Sequence, residues 1–173
     1  MIANDEFSKL RLRDFCTDNK YYREELDEHA FYLEETIPGI WFGRPIIRPD
    51  ETFRITVSLL GFSEYWADIG PAILARLGLP FTRESTTEHV FESLGLPRIT
   101  ASSSPDDATH RSDIYQFHLE EGGGYEIECV FLEPGAGSDW LPCYRVPTRS
   151  LWDVRVERSD HDSIIKEIED RCQ

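Results

Sequence analysis

Chemistry in this chain would have to come from five histidines, four cysteines, a serine-rich segment and an unusual supply of carboxylates. The histidines are His29, His89, His110, His118 and His161, and no two of them stand in the i, i+4 pattern with a glutamate that grips zinc on a helix. The best local cluster, Asp160-His161-Asp162, falls where a helix opens. Acids at that position are expected as caps and dipole partners, so no metal is expected there. The cysteines, Cys16, Cys129, Cys143 and Cys172, lack the close pairing of a zinc knuckle or a redox motif, and in a reducing compartment they stay thiols. Gly122 to Gly124 and Gly135-Ala136-Gly137 lack the Lys-Ser/Thr sequel of a phosphate loop, and glutamates flank the first run, so both read as turns. Ser102 to Ser104, with Asp106, Asp107 and His110 nearby, lack the glycine-flanked elbow that exposes a nucleophile. No catalytic residue, metal or cofactor is expected from these motifs.

The elements that would position such residues follow from periodicity. Asn4 to Cys16 reads as helix, and Tyr21 to Glu35 as a second helix on the recurrence of Tyr22, Leu26 and Ala30, stopped by Pro38-Gly39. Ile40 to Ile47, interrupted by Gly43 and Pro45, reads as an edge strand or packed loop. Phe53, Ile55 and Val57 alternate with polar residues in a half-buried strand. A helix is expected from a Ser63 cap towards Leu77, with Pro71 at a break or restart. A short helix is expected between Ser85 and Pro97, its capping box formed by Ser85 and Glu88 and its stop by Gly95. Ala101 to Arg111 reads as a solvated loop. Three alternating strands follow, around Tyr115 to Leu119, Tyr125 to Phe131 and Trp152 to Glu157, before a terminal helix around Ile164 and Ile168. A period of two with one polar side means an antiparallel sheet covered on one face. The fold class is therefore α+β: one domain over residues 1–173, a mostly antiparallel sheet with helices packed on one face, N-terminal helices and a short C-terminal helix.

Charge narrows the function. The 173 residues carry 18 basic and 33 acidic side chains, a net −15. This balance disfavours direct binding of nucleic-acid phosphates or of anionic membranes. The acidic start, Met-Ile-Ala-Asn-Asp-Glu, has no basic region followed by an apolar run, so a cytoplasmic location is expected. Solubility alone asks for a net charge of about 2–8 in magnitude. The surplus points to a positively charged macromolecular partner, since opposite fields accelerate encounter. The residues expected to carry it are Glu24, Glu25, Asp27 and Glu28, with Glu34 and Glu35 beyond them, on the second helix, Glu120 and Glu121 beside the sheet, and Glu126, Glu128, Asp153 and Glu157 on its open face. Carboxylates covered by the chain's own arginines around a deep hollow would argue instead for an enzyme with a carboxylate site.

The succession Val90-Leu94-Gly95-Leu96-Pro97, then Tyr115-Gln116-Phe117, Tyr125 to Phe131 and Val154-Arg155-Val156 is a short helix followed by a three-stranded meander. Over residues 85–158 it resembles the modules of β-lactamase-inhibitor-protein type, including the small lipoprotein of the outer-membrane barrel-assembly machine. It is also similar to bacterial immunity proteins that neutralise toxins. The resemblance implies a protein-binding scaffold: a cytoplasmic immunity protein that occludes the active site of a cognate, basic toxin or effector, with oligomeric state open between monomer and dimer. The competing readings are a DNA mimic of the anti-restriction or anti-CRISPR type and an acidic secretion chaperone.

Overall fold

The computed structural model describes residues 2, 4–16, 18–59, 68–102, 112–119, 124–133, 137–138, 141–145 and 148–172. Its centre is an eight-stranded, wholly antiparallel sheet in the order β1-β2-β3-β4-β10-β7-β6-β5. The strands are β1 (Arg23–Leu26), β2 (Tyr32–Ile37), β3 (Ile40–Pro45), β4 (Arg54–Ser58), β5 (Ile99–Ser102), β6 (Ser112–Leu119), β7 (Tyr125–Leu132) and β10 (Ser150–Arg158). Strands β8 (Gly137–Ser138) and β9 (Leu141–Arg145) form a separate pair. The helices are α1 (Asn4–Lys9), α2 (Arg13–Cys16), α3 (Ile69–Arg76), α4 (Thr87–Leu94) and α5 (His161–Cys172). This is the α+β architecture expected from the sequence.

Strand β10 joins two meanders, and its valines explain why it inserts there. In register, Ile40, Val57, Val154, Cys129 and Tyr115 form one row across five strands, and Phe42, Ile55, Val156, Ile127 and Phe117 form the next. All ten side chains are buried. At about 1.5–3 kcal/mol for a fully buried large apolar side chain, this double row is a principal stabilising feature of the sheet. A one-residue slip of β10 would turn Val154 and Val156 to the polar side, so the register is strongly specified. Phe7, Leu12, Ile73, Leu74, Leu77 and Val90 from α1 to α4 and their flanks complete this core. Phe7 meets Tyr125 edge-on at 5.0 Å, and Phe91 meets Tyr115 in the same way at 5.3 Å. Gly70 lets α3 approach β4, because a Cβ there would stand 2.8 Å from Val57 Cγ1. Pro71 lies in the first turn of α3, where proline is tolerated. Helix α5 buries Ile164 and Ile168 against Phe53 in a second cluster.

Several local expectations are corrected. Tyr21 to Glu35 is a β-hairpin, not a helix. Asp27 accepts hydrogen bonds from the amides of His29 (3.2 Å) and Tyr32 (2.7 Å), and Ala30 adopts φ +55°, so a turn replaces the helical path. Pro38-Gly39 is the turn between β2 and β3, with Gly39 at φ +84°. Strand β3 is interior rather than an edge, flanked by β2 and β4, with Pro45 at its end. The α4 capping box is Thr86 with His89, not Ser85 with Glu88. Thr86 is extended and accepts from the His89 amide, while Ser85 Oγ is occupied by the Thr82 amide at 2.9 Å. The α3 cap position is Asp68, and Ser63 lies outside the described residues. Ala101 and Ser102 belong to β5, while residues 103–111 lie outside the described residues.

Candidate functional site

The alternation that builds the core also builds the opposite face. Across the sheet, one row reads Glu25, Glu34, Gly43, Arg54, Glu157, Glu126 and His118. The next reads Thr36, Trp41, Thr56, Arg155, Glu128 and Gln116. Above them Ser58, Asp153 and Val130 stand side by side. A groove of about 360 Å³ runs along this face between Glu34, Trp41, Arg54, Thr56, Glu128, Val130, Asp153 and Arg155. That volume is at the small end of ligand pockets.

Opposite charges meet over the sheet beside Gly43. Arg54 lies against Gly43, where a Cβ would meet its Cβ and Nε in ordinary contact at 3.8 and 3.9 Å, and its Nη2 comes 3.7 Å from Glu34. Its guanidinium also lies 5.1 Å from the centre of the Tyr32 ring, a cation–π contact. Arg155 pairs with Glu128 at 2.9 Å and reaches Glu157 at 3.9 Å. Glu157 also receives His161 Nδ1 at 2.9 Å, and His161 Nε2 hydrogen-bonds the Tyr32 hydroxyl. Burial pushes the Glu157 carboxyl up, but the His161 hydrogen bond and the charges of His161, Arg155 and Arg54 more than offset this and hold it below its ordinary value. The His161 ring is thus engaged at both nitrogens, and Asp162 stands 3.6 Å from Nδ1. Among the described residues no group of three His, Cys, Asp or Glu is placed to hold a metal ion.

Asp153 differs from its neighbours. It follows a bulge at Trp152, where the β10–β7 register shifts between Leu151 and Asp153. Burial pushes its carboxyl up to about 6; the Ser58 hydroxyl opposes the shift and the nearby Glu128 charge adds to it. Its Oδ1 is buried without a hydrogen-bond partner among the described residues. A bulge beside such a group re-aims a side chain at the cost of a regular ladder. Trp41, 41% exposed, supplies the groove's aromatic wall.

Of the residues expected to form one acidic surface, Glu126, Glu128, Asp153 and Glu157 stand together on this face, and Glu25 shares the row of Glu126 and Glu157 from the far edge. The expected helical cluster is divided. Glu24 belongs to the helix-covered side, where it pairs with Arg44 at 2.9 Å and accepts from the Tyr22 hydroxyl at 3.1 Å. Asp27 is spent on its own turn, and Glu28 is exposed beside His29 at 3.2 Å. Glu120 and Glu121 lie outside the described residues. Sequence reasoning did not place Glu34, Trp41, Arg54, Thr56 or Arg155 in a groove. The polar alternation of β4 and β10 marked Arg54, Thr56 and Arg155 as facing away from the core, whereas Glu34 was hidden by the helical reading of β2.

Cys16 and Cys129 are free, buried thiols, pushed up by burial to about 11 and about 12, with the Glu35 and Glu128 charges adding. That holds them in the unreactive form. The side chains of Cys143 and Cys172, and His110, Ser103, Ser104, Asp106 and Asp107, lie outside what the structure describes. Among the described residues no helix is long and apolar enough to cross a membrane. Comparisons with protein-family models, with curated proteins and with solved structures gave no match.

Proposed function

We propose that the polar sheet face is the docking surface for a basic protein, and that this chain acts as an immunity protein: it binds a cognate toxin and occludes the toxin's active site, without catalysing a reaction. The observation that carries this reading is the charge left on the face after internal pairing. Glu25, Glu34, Glu126, Glu128, Asp153 and Glu157 share the face with three guanidiniums, Arg23 at the sheet's edge and the groove's pair Arg54 and Arg155, a formal balance of −3 with histidines left out of the count and Asp153 ionised. Both groove arginines are drawn into pairs, so the surplus stays on the acidic side. Glu126, which has no ion-pair partner among the described residues, would steer encounter, while the half-exposed Trp41 ring offers an aromatic anchor of the kind that dominates binding energy. A binder of this sort needs a broad surface, and the polar sheet face offers one beyond the corner where His161 of α5 meets Tyr32 and Glu157. The interruption of both acidic rows by arginine favours a protein partner over imitation of a phosphate ridge.

The test is coexpression with secreted or toxic effectors encoded beside the gene. Rescue of growth by the intact chain, with copurification of the effector, supports the reading. Failure to protect against every such effector overturns it. The DNA-mimic alternative predicts instead that a DNA-binding enzyme is captured and that duplex DNA competes it away.

A further inference from the structure

The two ends of the sheet are built differently, and the difference points to self-association. At one end β1 presents Arg23, Glu24, Glu25 and Leu26, an edge guarded by acids. At the other, β5 is Ile-Thr-Ala-Ser and carries no charge. Residues 98–101 are all exposed, with Ile99 at 50%, and Leu96 just before the strand at 85%. The direction of the β5 backbone follows from the ladder. The Arg98 amide donates to the Gln116 carbonyl at 2.7 Å, so Gln116 turns its polar groups towards β5. The register pairs Ile99 with Gln116 and Ala101 with Ile114. Ile99 and Ala101 therefore bond inward, and the alternation of an antiparallel strand turns the N–H and C=O of Thr100 and Ser102 outward.

We infer that the β5 edge pairs with the β5 edge of a second copy of this chain, antiparallel about a two-fold axis at Ala101. In that register Thr100 lies opposite Ser102 of the second copy, and the reverse. Four backbone hydrogen bonds then close every outward group of the two strands. Ala101 faces its own equivalent in a non-hydrogen-bonded pair, where Cα atoms come within about 4.5 Å and a small side chain fits best. Isologous pairing of this kind is self-complementary and closed, so it stops at a dimer. The same operation at β1 has no neutral register: the centre of that strand is Glu24-Glu25, and like charges directly opposite are destabilising. The chain's net −15 opposes any dimer through long-range repulsion, so association strengthens as salt screens it. The polar sheet faces of the two copies stay uncovered, and the inference stands apart from the toxin-binding reading.

The experiment is sedimentation velocity of the full chain from micromolar to millimolar concentration at low and high salt. A dimer that strengthens with salt is expected. Ala101→Glu and Ala101→Lys, each exposed and off the core, should each weaken it by roughly tenfold or more, and mixing the two should restore it as a heterodimer. Ala101→Cys should form a disulfide across the axis on oxidation, located by peptide mapping, whereas Ile99→Cys should not, because Cα separations beyond about 7 Å cannot be bridged. Circular dichroism of each variant distinguishes a lost dimer from a lost fold. A wild-type chain that stays monomeric in high salt, or a dimer indifferent to both charge variants, overturns the inference.

Discussion

Glu35 Oε1 lies 3.1 Å from Arg44 Nη2 on the helix-covered side of the sheet, with the carboxylate wholly excluded from solvent. The second oxygen, Oε2, accepts the Leu12 amide at 2.5 Å, fastening the start of α2 to β2. Arg11 is held close by, donating to the Leu10 carbonyl and to Thr52 Oγ1, each at 2.8 Å. Burial, with the charge of Arg44 next, lowers its pKa. Removing Glu35 leaves Arg44 with Glu24 alone and deprives the Leu12 amide of its acceptor, and a buried donor left unsatisfied costs about 1–3 kcal/mol. Glu35→Ala is therefore expected to lower unfolding free energy by that amount in urea titration. Glu24→Ala removes the other carboxylate of Arg44, one that is 38% exposed, and should cost no more than about 1 kcal/mol. Equal losses from the two variants would refute the buried-pin account.

Glu35 also marks the limit of what could be read from residues alone. A glutamate among acids signals solvent, and nothing local distinguishes Glu35, buried beneath the N-terminal segment, from half-buried Glu34 one position earlier. Only the pairing of β2 with β3, which sets Glu35 opposite Phe42 and Glu34 opposite Gly43, separates their fates. The meander of β6, β7 and β10 was legible because valine, isoleucine and aromatic residues alternate strictly with charges there. The β1–β2 hairpin was not, because Tyr22, Leu26 and Ala30 fit a four-residue spacing as well as a two-residue one, and the Asp27 turn gave no glycine to mark it. The groove had no local signal either: Trp41, Arg54, Glu128 and Asp153 come from four strands, and their proximity is a product of register.

The cap of α4 provides a sharp local test, since two adjacent hydroxyls compete for the same role. Thr86 Oγ1 receives the His89 amide at 3.3 Å, and His89 Nδ1 receives the Thr86 amide at 3.4 Å. Thr86→Ala should cost about 0.5–2 kcal/mol and Thr86→Asn nearly nothing, the pattern of an N-cap. Thermal denaturation of the two variants checks this. If Thr86→Asn falls as far as Thr86→Ala, capping is not the source of the loss.

Asp153 should make the molecule less stable as it ionises. Its carboxyl is raised to about 6 in the folded state from 3.8, so folding favours the protonated form. The associated stability is fully present below pH 3.8 and is lost as pH rises through about 6. A shift of this size corresponds to about 3 kcal/mol by linkage. Asp153→Asn is expected to match wild type near pH 4 and to exceed it increasingly up to neutral pH, by at most that figure. Urea midpoints measured in parallel across this range test the sign: a variant advantage that grows towards acid contradicts the assignment.

His161 ties the first turn of α5 to both β10 and β2. Its ring lies parallel to Tyr32, 4° between planes, while Nδ1 holds Glu157. Glu157, lowered in the folded state, contributes stability above its unfolded value of about 4.5 that is lost as pH falls through the folded one. His161→Phe preserves the ring and deletes both nitrogens, and should cost about 1–3 kcal/mol. Hydrogen exchange should accelerate in residues 161–172 before the sheet is affected. Protection that falls equally in β7 would show that the contact serves the whole fold and not α5.

If the polar face is the docking surface, steering and anchoring should separate kinetically. Glu126 is exposed, lies beside Glu157 in register, and has no ion-pair partner among the described residues. Reversing it with Glu126→Lys should slow association with the captured basic protein and flatten the salt dependence of the association rate, because rim charges act mainly on encounter. Trp41 acts differently: it lines the groove together with Glu34 and Arg54 and would be desolvated by a partner. Trp41→Ala should leave the association rate near wild type and speed dissociation, with a loss of about 2 kcal/mol or more in binding. Its cost in folding should be smaller, since the side chain is already 41% exposed. Surface plasmon resonance at several salt concentrations reads both rates. An unchanged complex in both variants would move the interface off this face of the sheet.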